Sequence, residues 1–259
     1  QRANDSHNVI SLGICEGNGT LHMIFDQHNN LNPLRYRVSV EGLISNPESH
    51  EWTTAKFGGV LEALPGIPAN AVGNKNFTYP RFIAMPNGNL QLMRRHGSAI
   101  SGASHLYTYN KDTQQWAHHG EFINGRAVEY TKPDTGAKTK LGPYLSGANY
   151  HNGRLYITWV WRTTGTSSNN NFDFMYAYSD DYGINWYNND GSKAGRVNSP
   201  MTLSNSPPVK VFSFGEGSML NQTGQAVDSE GRVHAVQKNG TKFRHIYRDT
   251  NGTWHENRI

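Results

Sequence analysis

The sequence has one cysteine, Cys15, in 259 residues. A single thiol excludes an intrachain disulfide framework and any zinc site built from cysteines, and it leaves the redox compartment undecided. No apolar run is long enough to cross a membrane as a helix, and no signal-peptide pattern is visible. There is no dense block of Lys and Arg. A net charge of +4 spread this thinly does not make a nucleic-acid platform, although a mildly basic surface favours an anionic partner. Long segments with helical apolar periodicity are missing as well. Aromatics and Gly are plentiful, at 11% and 27 residues, which points to an all-β chain rich in turns.

The turns recur. "NGTLHMIFDQH" (18–28), "NGNLQLMRR" (87–95), "NGRLYITWVWR" (152–162) and "EGRVHAVQK" (230–238) each open on a turn glycine, at Gly19, Gly88, Gly153 and Gly231. An aromatic strand comes later in each unit: "RYRVS" (35–39), "LYTYN" (106–110), "MYAYS" (175–179) and "RHIYRD" (244–249). A tryptophan closes each unit, at Trp52, Trp116, Trp186 and Trp254. Repeats of a four-strand pattern, none able to bury its faces alone, predict a β-propeller built of four-stranded antiparallel blades. The whole of 1–259 then forms a single β-propeller domain or part of one. Four convincing repeats are few for closure, so the expectation is part of a larger, about seven-bladed propeller. The segments 53–77, 118–143 and 187–219 read as insertions or connections, with "PDTGAKTKLG" (133–142) an exposed loop. "SDDYGINW" (179–186) fits the S-x-D-x-G-x-x-W pattern known as an Asp-box. Its role is taken as structural, with Asp181 bonding turn amides and Trp186 packing.

In a hairpin, residues equidistant from the turn lie opposite each other. That predicts the pairs His7 with His28, Tyr79 with Arg95, Tyr144 with Arg162, and Gln222 with Lys238. Stacked around one axis, these pairs would gather on one rim as an arc of polar groups. The repeats differ there because the rim carries function while their interiors share packing duties.

Two imidazoles, a phenol and a guanidinium are unusual equipment for a glycosidase, which needs two flanking carboxylates. They suit β-elimination from a uronic acid. An arginine on the carboxylate offsets its charge and stabilises the enolate-like intermediate. A neutral imidazole, with an ordinary pKa of about 6.5, takes the proton beside the carboxylate. A tyrosine, ordinarily about 10, donates to the leaving oxygen, and a cationic neighbour would let it serve as base too. Glucuronate and iduronate carry that proton on opposite ring faces, so a base on each side would process both.

"SHNVISLGI" (6–14), "TLHMIFDQH" (20–28), "NPLRYRVS" (32–39), "TYPRF" (78–82), "ITWVWRTT" (157–164), "YAYSDDYGINW" (176–186) and "NQTGQAVDSEGRVHAV" (221–236) resemble the BNR-repeat propellers that include ulvan lyases of polysaccharide lyase families 24 and 25. The resemblance implies His7 as base, His28 as its supporting histidine, Tyr79 as the opposing acid or base and Arg95 as the group that neutralises the uronate. It implies lyase action on a sulfated, uronate-containing polysaccharide, an anionic partner, and no cofactor for the chemistry itself. A secreted or periplasmic location follows from such a substrate, and the rest of the propeller would be a further partner if the chain is a fragment. Cations for sulfate are sought in Arg94, Arg162 and Lys238. Asn8 and Arg81 are candidates to contribute, and Tyr144 to stack on or bond a sugar. Strand alternation places Arg95, not Arg94, on the side of Gln91 and Met93, and the hairpin pairing with Tyr79 selects Arg95 as the uronate partner. A sialidase-like hydrolase and a non-catalytic glycan-binding propeller are the competing readings.

Other residues carry weaker signals. His96, His118, His119, His151 and His245 lack metal-ligand spacing and are expected as surface or turn histidines. Cys15 with His22 would contribute to a structural metal site only if other ligands came close; a buried thiol is the simpler expectation.

Overall fold

The computed structural model describes residues 5, 7–28, 32–163, 170–204 and 209–259. The chain divides into two compact units, Gln1–Gly97 with His105–Gly120 and Ser98–Ser104 with Glu121–Ile259. Among the described residues all regular structure longer than a single turn is β, and the ladders of β1–β2–β3, β4–β5, β8–β9, β10 to β15 and β16 to β19 are antiparallel.

Unit 1 opens with a three-stranded sheet of β1 (Ser11–Cys15), β2 (Thr20–Ile24) and β3 (Tyr36–Val38). Next along the chain is a four-stranded sheet of β4 (Thr78–Ala84), β5 (Leu90–Ser98), β6 (Ser101–Asn110) and β7 (Gln115–Asn124), in that order. Among the described residues the first repeat forms three strands, not four. Trp52 is 52% exposed and bonds through its indole N–H to Pro47 O, so it does not close a blade. Trp116 does, at 3% exposure. The unit-1 core includes Cys15, Ile24, Tyr36, Leu92, Tyr109 and Trp116. Each large side chain of this kind contributes roughly 1.5–3 kcal/mol on burial. Gly13 lets β1 approach β4: a Cβ at that position would stand 2.4 Å from the Phe82 side chain.

After β7 the chain forms a two-stranded ribbon, β8 (Tyr130–Thr131) and β9 (Lys138–Thr139), so the expected insertion 118–143 holds the end of β7 and a small hairpin of its own. A larger sheet follows: β10 (Gly142–His151), β11 (Arg154–Arg162), β12 (Asn171–Ser179), β13 (Asn185–Tyr187) and β14 (Lys193–Arg196), with β15 (Lys210–Phe212) joined to β12. The third insertion thus supplies two strands; its residues 205–208 lie outside the described set. The last sheet is β16 (Gln225–Val227), β17 (Val233–Asn239), β18 (Lys242–Arg248) and β19 (Trp254–Arg258). β11 is apolar on both sides, and Leu155 through Trp161 are all buried, as a strand covered on two faces requires.

The hairpin turns share one device. Asp228 Oδ1 accepts the backbone N–H groups of Glu230 and Arg232, and Asp249 Oδ1 those of Asn251 and Thr253. Asn110 Oδ1 accepts from Asp112 and Thr113. In the S-x-D-x-G-x-x-W turn, Asp181 accepts from the Asn185 N–H at 2.8 Å and Ser179 Oγ from that of Gly183, while Trp186 is fully buried. A short side chain that satisfies turn amides closes the hairpin without help from the rest of the sheet.

The histidines expected on surface turns lie mostly within strands. His118 is half-buried, stacked on His105 at 5.1 Å and on Tyr107 at 4.5 Å, and burial pulls its pKa down to about 4. His245 stacks on His234 at 5.2 Å. His22 is a core residue: Nε2 meets Thr20 Oγ1 at 2.8 Å, Nδ1 meets the Tyr36 hydroxyl at 2.6 Å, and burial lowers its pKa to about 3. Cys15 is buried, its thiol donating to Gly88 O, so both members of the suggested metal pair are occupied by packing.

Candidate functional site

His7 sits in the segment before β1, and His28 lies just beyond the end of β2. The β1–β2 ladder runs Ser11↔Ile24 to Cys15↔Thr20, and the same register continued outward brings residues 7 and 28 opposite each other. Their rings stack with centroids 4.3 Å apart and planes 18° from parallel. The hairpin reasoning identifies this pair, although neither residue is in a strand.

Tyr79 and Arg95 depart from simple pairing. In β4–β5 the ladder is Arg81↔Met93 near the turn and Thr78↔Arg95 at the far end, with a bulge between. Tyr79 and Pro80 together face one residue. Proline has no N–H for the ladder, and Tyr79 takes a left-handed φ of 51°. Thr78 therefore opposes Arg95. The bulge still leaves the Arg95 guanidinium 4.8 Å from the Tyr79 ring centre. A non-glycine residue in the left-handed region is strained, and such strain is commonly held where a side chain must be aimed.

Four side chains thus converge within unit 1. Tyr79 is 5.5 Å from His28 and 6.3 Å from His7, ring centre to ring centre, and its hydroxyl lies 3.4 Å from His28 Nε2. His7 is exposed, His28 and Tyr79 are half-buried, and Arg95 is 4% exposed, presenting only a small edge. Burial lowers the His28 pKa, against the opposing pull of Asp5. Neutral imidazole is therefore favoured near pH 7.

Asp5 escaped the sequence reading. Its carboxylate takes His7 Nδ1 at 2.7 Å on one oxygen and His28 Nδ1 at 2.6 Å on the other, and it also accepts the His7 backbone N–H at 2.9 Å. The His7 backbone N–H, then the two imidazoles, hold its carboxyl well below the usual carboxylate range. The available signal was local: an Asp two residues before a His can close an Asx-turn on that residue's N–H. Asp5, His7 and His28 also form the one group of potential metal-binding side chains among the described residues whose ligand atoms all lie within 4.8 Å of one another. Two imidazoles and a carboxylate suit a borderline transition ion better than calcium or magnesium, but here all three are engaged in the hydrogen bonds just given.

The remaining candidates are placed as follows. Arg94 is 1% exposed; it donates to Tyr107 Oη and to the carbonyls of Asn76 and Val72, and lies over the Phe77 ring. That makes it an anchor of the fold, which corrects the expectation that it meets sulfate. Asn8 donates its backbone N–H to Asp5 O and helps hold the segment bearing His7. Arg81 lies on β4 opposite Met93, half-buried. Tyr144 and Arg162 belong to unit 2. The expected pair is displaced there too, to Gly142↔Arg162 and Tyr144↔Val160, by an Asn152-Gly153 turn and a bulge near Ser146. Even so, Arg162 Nη1 donates to the Tyr144 hydroxyl at 3.1 Å and to Asn221 Oδ1 at 3.3 Å. Both residues are buried, and each serves the other. Lys238 lies on β17 opposite Phe243; β16 starts at Gln225, so Gln222 falls short of the strand that was to face it.

The arrangement is two buttressed imidazoles, a phenol and a guanidinium on one side of a blade-like unit, a set able to move protons beside a bound anion. The chain is 31% identical over 275 residues to an Alteromonas sp. protein, "Ulvan lyase, long isoform", covering 90% of this chain and 26% of that one. It is 30% identical over 244 residues to the protein of the same name from Pseudoalteromonas sp. (strain PLSV), covering 82% and 23%. The chain therefore spans about a quarter of the length of these curated relatives. Among solved structures, that of polysaccharide lyase Uly1 superposes with a TM-score of 0.74 at 19% identity, covering 98% of this chain and 60% of that one, which supports the β-propeller architecture. A family model described as "BNR repeat-containing family member" matches residues 1–259. With blade-like antiparallel sheets and a family match from end to end, the chain belongs to the BNR repeat-containing family.

Proposed function

We propose that this chain carries the catalytic centre of a polysaccharide lyase that cleaves a uronate-containing, ulvan-like polymer by β-elimination, outside the cytoplasm. The observation that carries the reading is the convergence of His7, His28, Tyr79 and Arg95 in unit 1, with the three ring centres 4.3 to 6.3 Å apart and the Arg95 guanidinium 4.8 Å from the Tyr79 ring centre. The likeness to proteins named ulvan lyases supports the substrate class.

In the proposed step, Arg95 faces the uronate carboxylate and offsets its charge as the neighbouring carbon loses its proton. His7 takes that proton on Nε2. The electron pair of the broken C–H bond becomes the new C=C bond, and the glycosidic C–O bond breaks with its pair passing to oxygen. Tyr79 supplies a proton to that oxygen, giving a free hydroxyl on one fragment and an unsaturated uronate on the other. Charge neutralisation in this scheme comes from the guanidinium.

The test is to incubate the full chain with ulvan and with other uronate polymers while recording near-ultraviolet absorbance and reducing ends. Rising absorbance identifies an unsaturated uronate and so elimination. Reducing ends without absorbance would mean hydrolysis and reject the proposal. Binding with neither signal would make the protein a glycan-binding propeller.

A further inference from the structure

Both imidazoles of the cluster lean on one carboxylate. Asp5 Oδ1 is 2.7 Å from His7 Nδ1, and Asp5 Oδ2 is 2.6 Å from His28 Nδ1. An ionised carboxylate only accepts hydrogen bonds, so both nitrogens must donate. That determines the tautomer of each ring: the proton is on Nδ1 and the lone pair on Nε2. Tyr79 Oη is 3.4 Å from His28 Nε2, so its hydroxyl is the donor of that contact. Without the carboxylate each ring could carry its proton on either nitrogen. In the other tautomer His7 would present an N–H where a base needs a lone pair, and His28 would present an N–H to a hydroxyl that is itself to give a proton. The rings are stacked 4.3 Å apart, so the charge that appears on one after proton transfer also needs an anion close by.

We propose that Asp5 is the positioning residue of this site. Its two oxygens hold both histidines in the Nδ1–H form, so that His7 offers an unprotonated Nε2 to the sugar and His28 offers an acceptor to Tyr79. The assignment rests on the elimination reading above and deepens it. Asp5 acts on the site through its bonds to the two rings.

The experiment uses the full chain labelled with 15N-histidine. Long-range 1H–15N correlation spectra above the imidazole titration range report the tautomer of each ring directly, whether or not the protein is turning over substrate. The wild type should show His7 and His28 as Nδ1–H. In Asp5→Asn the amide offers one oxygen and one NH2, so at least one ring should switch or lose its preference. Turnover of the uronate polymer should fall about 10- to 100-fold while KM stays within about twofold. Asp5→Glu, with charge and both oxygens retained, should recover part of the loss. Asp5 is partly exposed, so circular dichroism should show the fold unchanged. An Nε2–H tautomer at either ring of the wild type, or full turnover in Asp5→Asn, would overturn the proposal. Failure of the elimination reading is recognised separately, by a wild type that produces no absorbance.

Discussion

At the residue scale, the site depends on side chains that are individually common and collectively rare. Arg95 is buried beside Tyr79, where a charge acts through less water and is felt more strongly. Arg95→Ala and His7→Ala should each lower elimination by about 100-fold or more while far-ultraviolet circular dichroism stays unchanged. Near-normal turnover in either variant would remove that residue from its role. His22 leads to a different prediction, because it acts on stability. Its pKa falls from 6.5 to about 3 on folding, so between those values the unfolded chain binds the extra proton and the folded chain does not. Its contribution is complete above about pH 6.5 and is lost progressively as pH falls toward 3. Urea melts should therefore lose a few kcal/mol over this range, at about 1.4 kcal/mol per pKa unit. A flat profile between pH 7 and pH 4 would show that His22 is not held neutral.

At the element scale, two bulges and the placement of one turn explain why counting residues from a turn located the right neighbourhoods and missed the partners. The β4–β5 register matches the count near the turn and slips by one at Tyr79-Pro80, where proline cannot join the ladder. In β10–β11 the Asn152-Gly153 turn and the slip at Ser146 each shift the pairing by one and leave Tyr144 facing Val160, yet Arg162 still reaches its hydroxyl. Long arginine side chains span such an offset; a short residue would not. The packing of β1 on β4 is less forgiving. A methyl at position 13 would meet Phe82 at 2.4 Å, and that ring is already wedged against His22 and Trp116. Gly13→Ala should cost about 1–3 kcal/mol, read as a lower midpoint in chemical denaturation with an unchanged slope. A midpoint equal to that of the wild type would mean β1 can shift outward without loss.

At the scale of the whole molecule, the net charge of +4 carries no structural information but does bear on an anionic polymer. KM for such a substrate should rise several-fold between about 0.05 and 0.5 M salt, while kcat stays within about twofold. A KM indifferent to salt would argue against an anionic ligand. Much of the architecture was legible beforehand. Period-two strands, turn glycines and aromatic third strands recur strongly enough to predict antiparallel blades, and the His7–His28 pairing follows from turn position alone. The exceptions are local. Trp52 resembles the closing tryptophans in spacing, but among the described residues the first sheet has three strands and Trp52 is exposed. Arg94 and Arg95 are adjacent letters with opposite fates, one bonded to backbone carbonyls and the other laid over a tyrosine, because strand alternation sends neighbours to opposite sides. Hydrophobic pattern and turn chemistry act over a few residues, so the sequence alone determined the strands, the turns and the blade-like repeats. Which guanidinium stands beside Tyr79, and that one carboxylate from the segment before β1 braces both histidines, were decided by the tertiary structure, since those contacts join residues whose separation leaves no periodic trace.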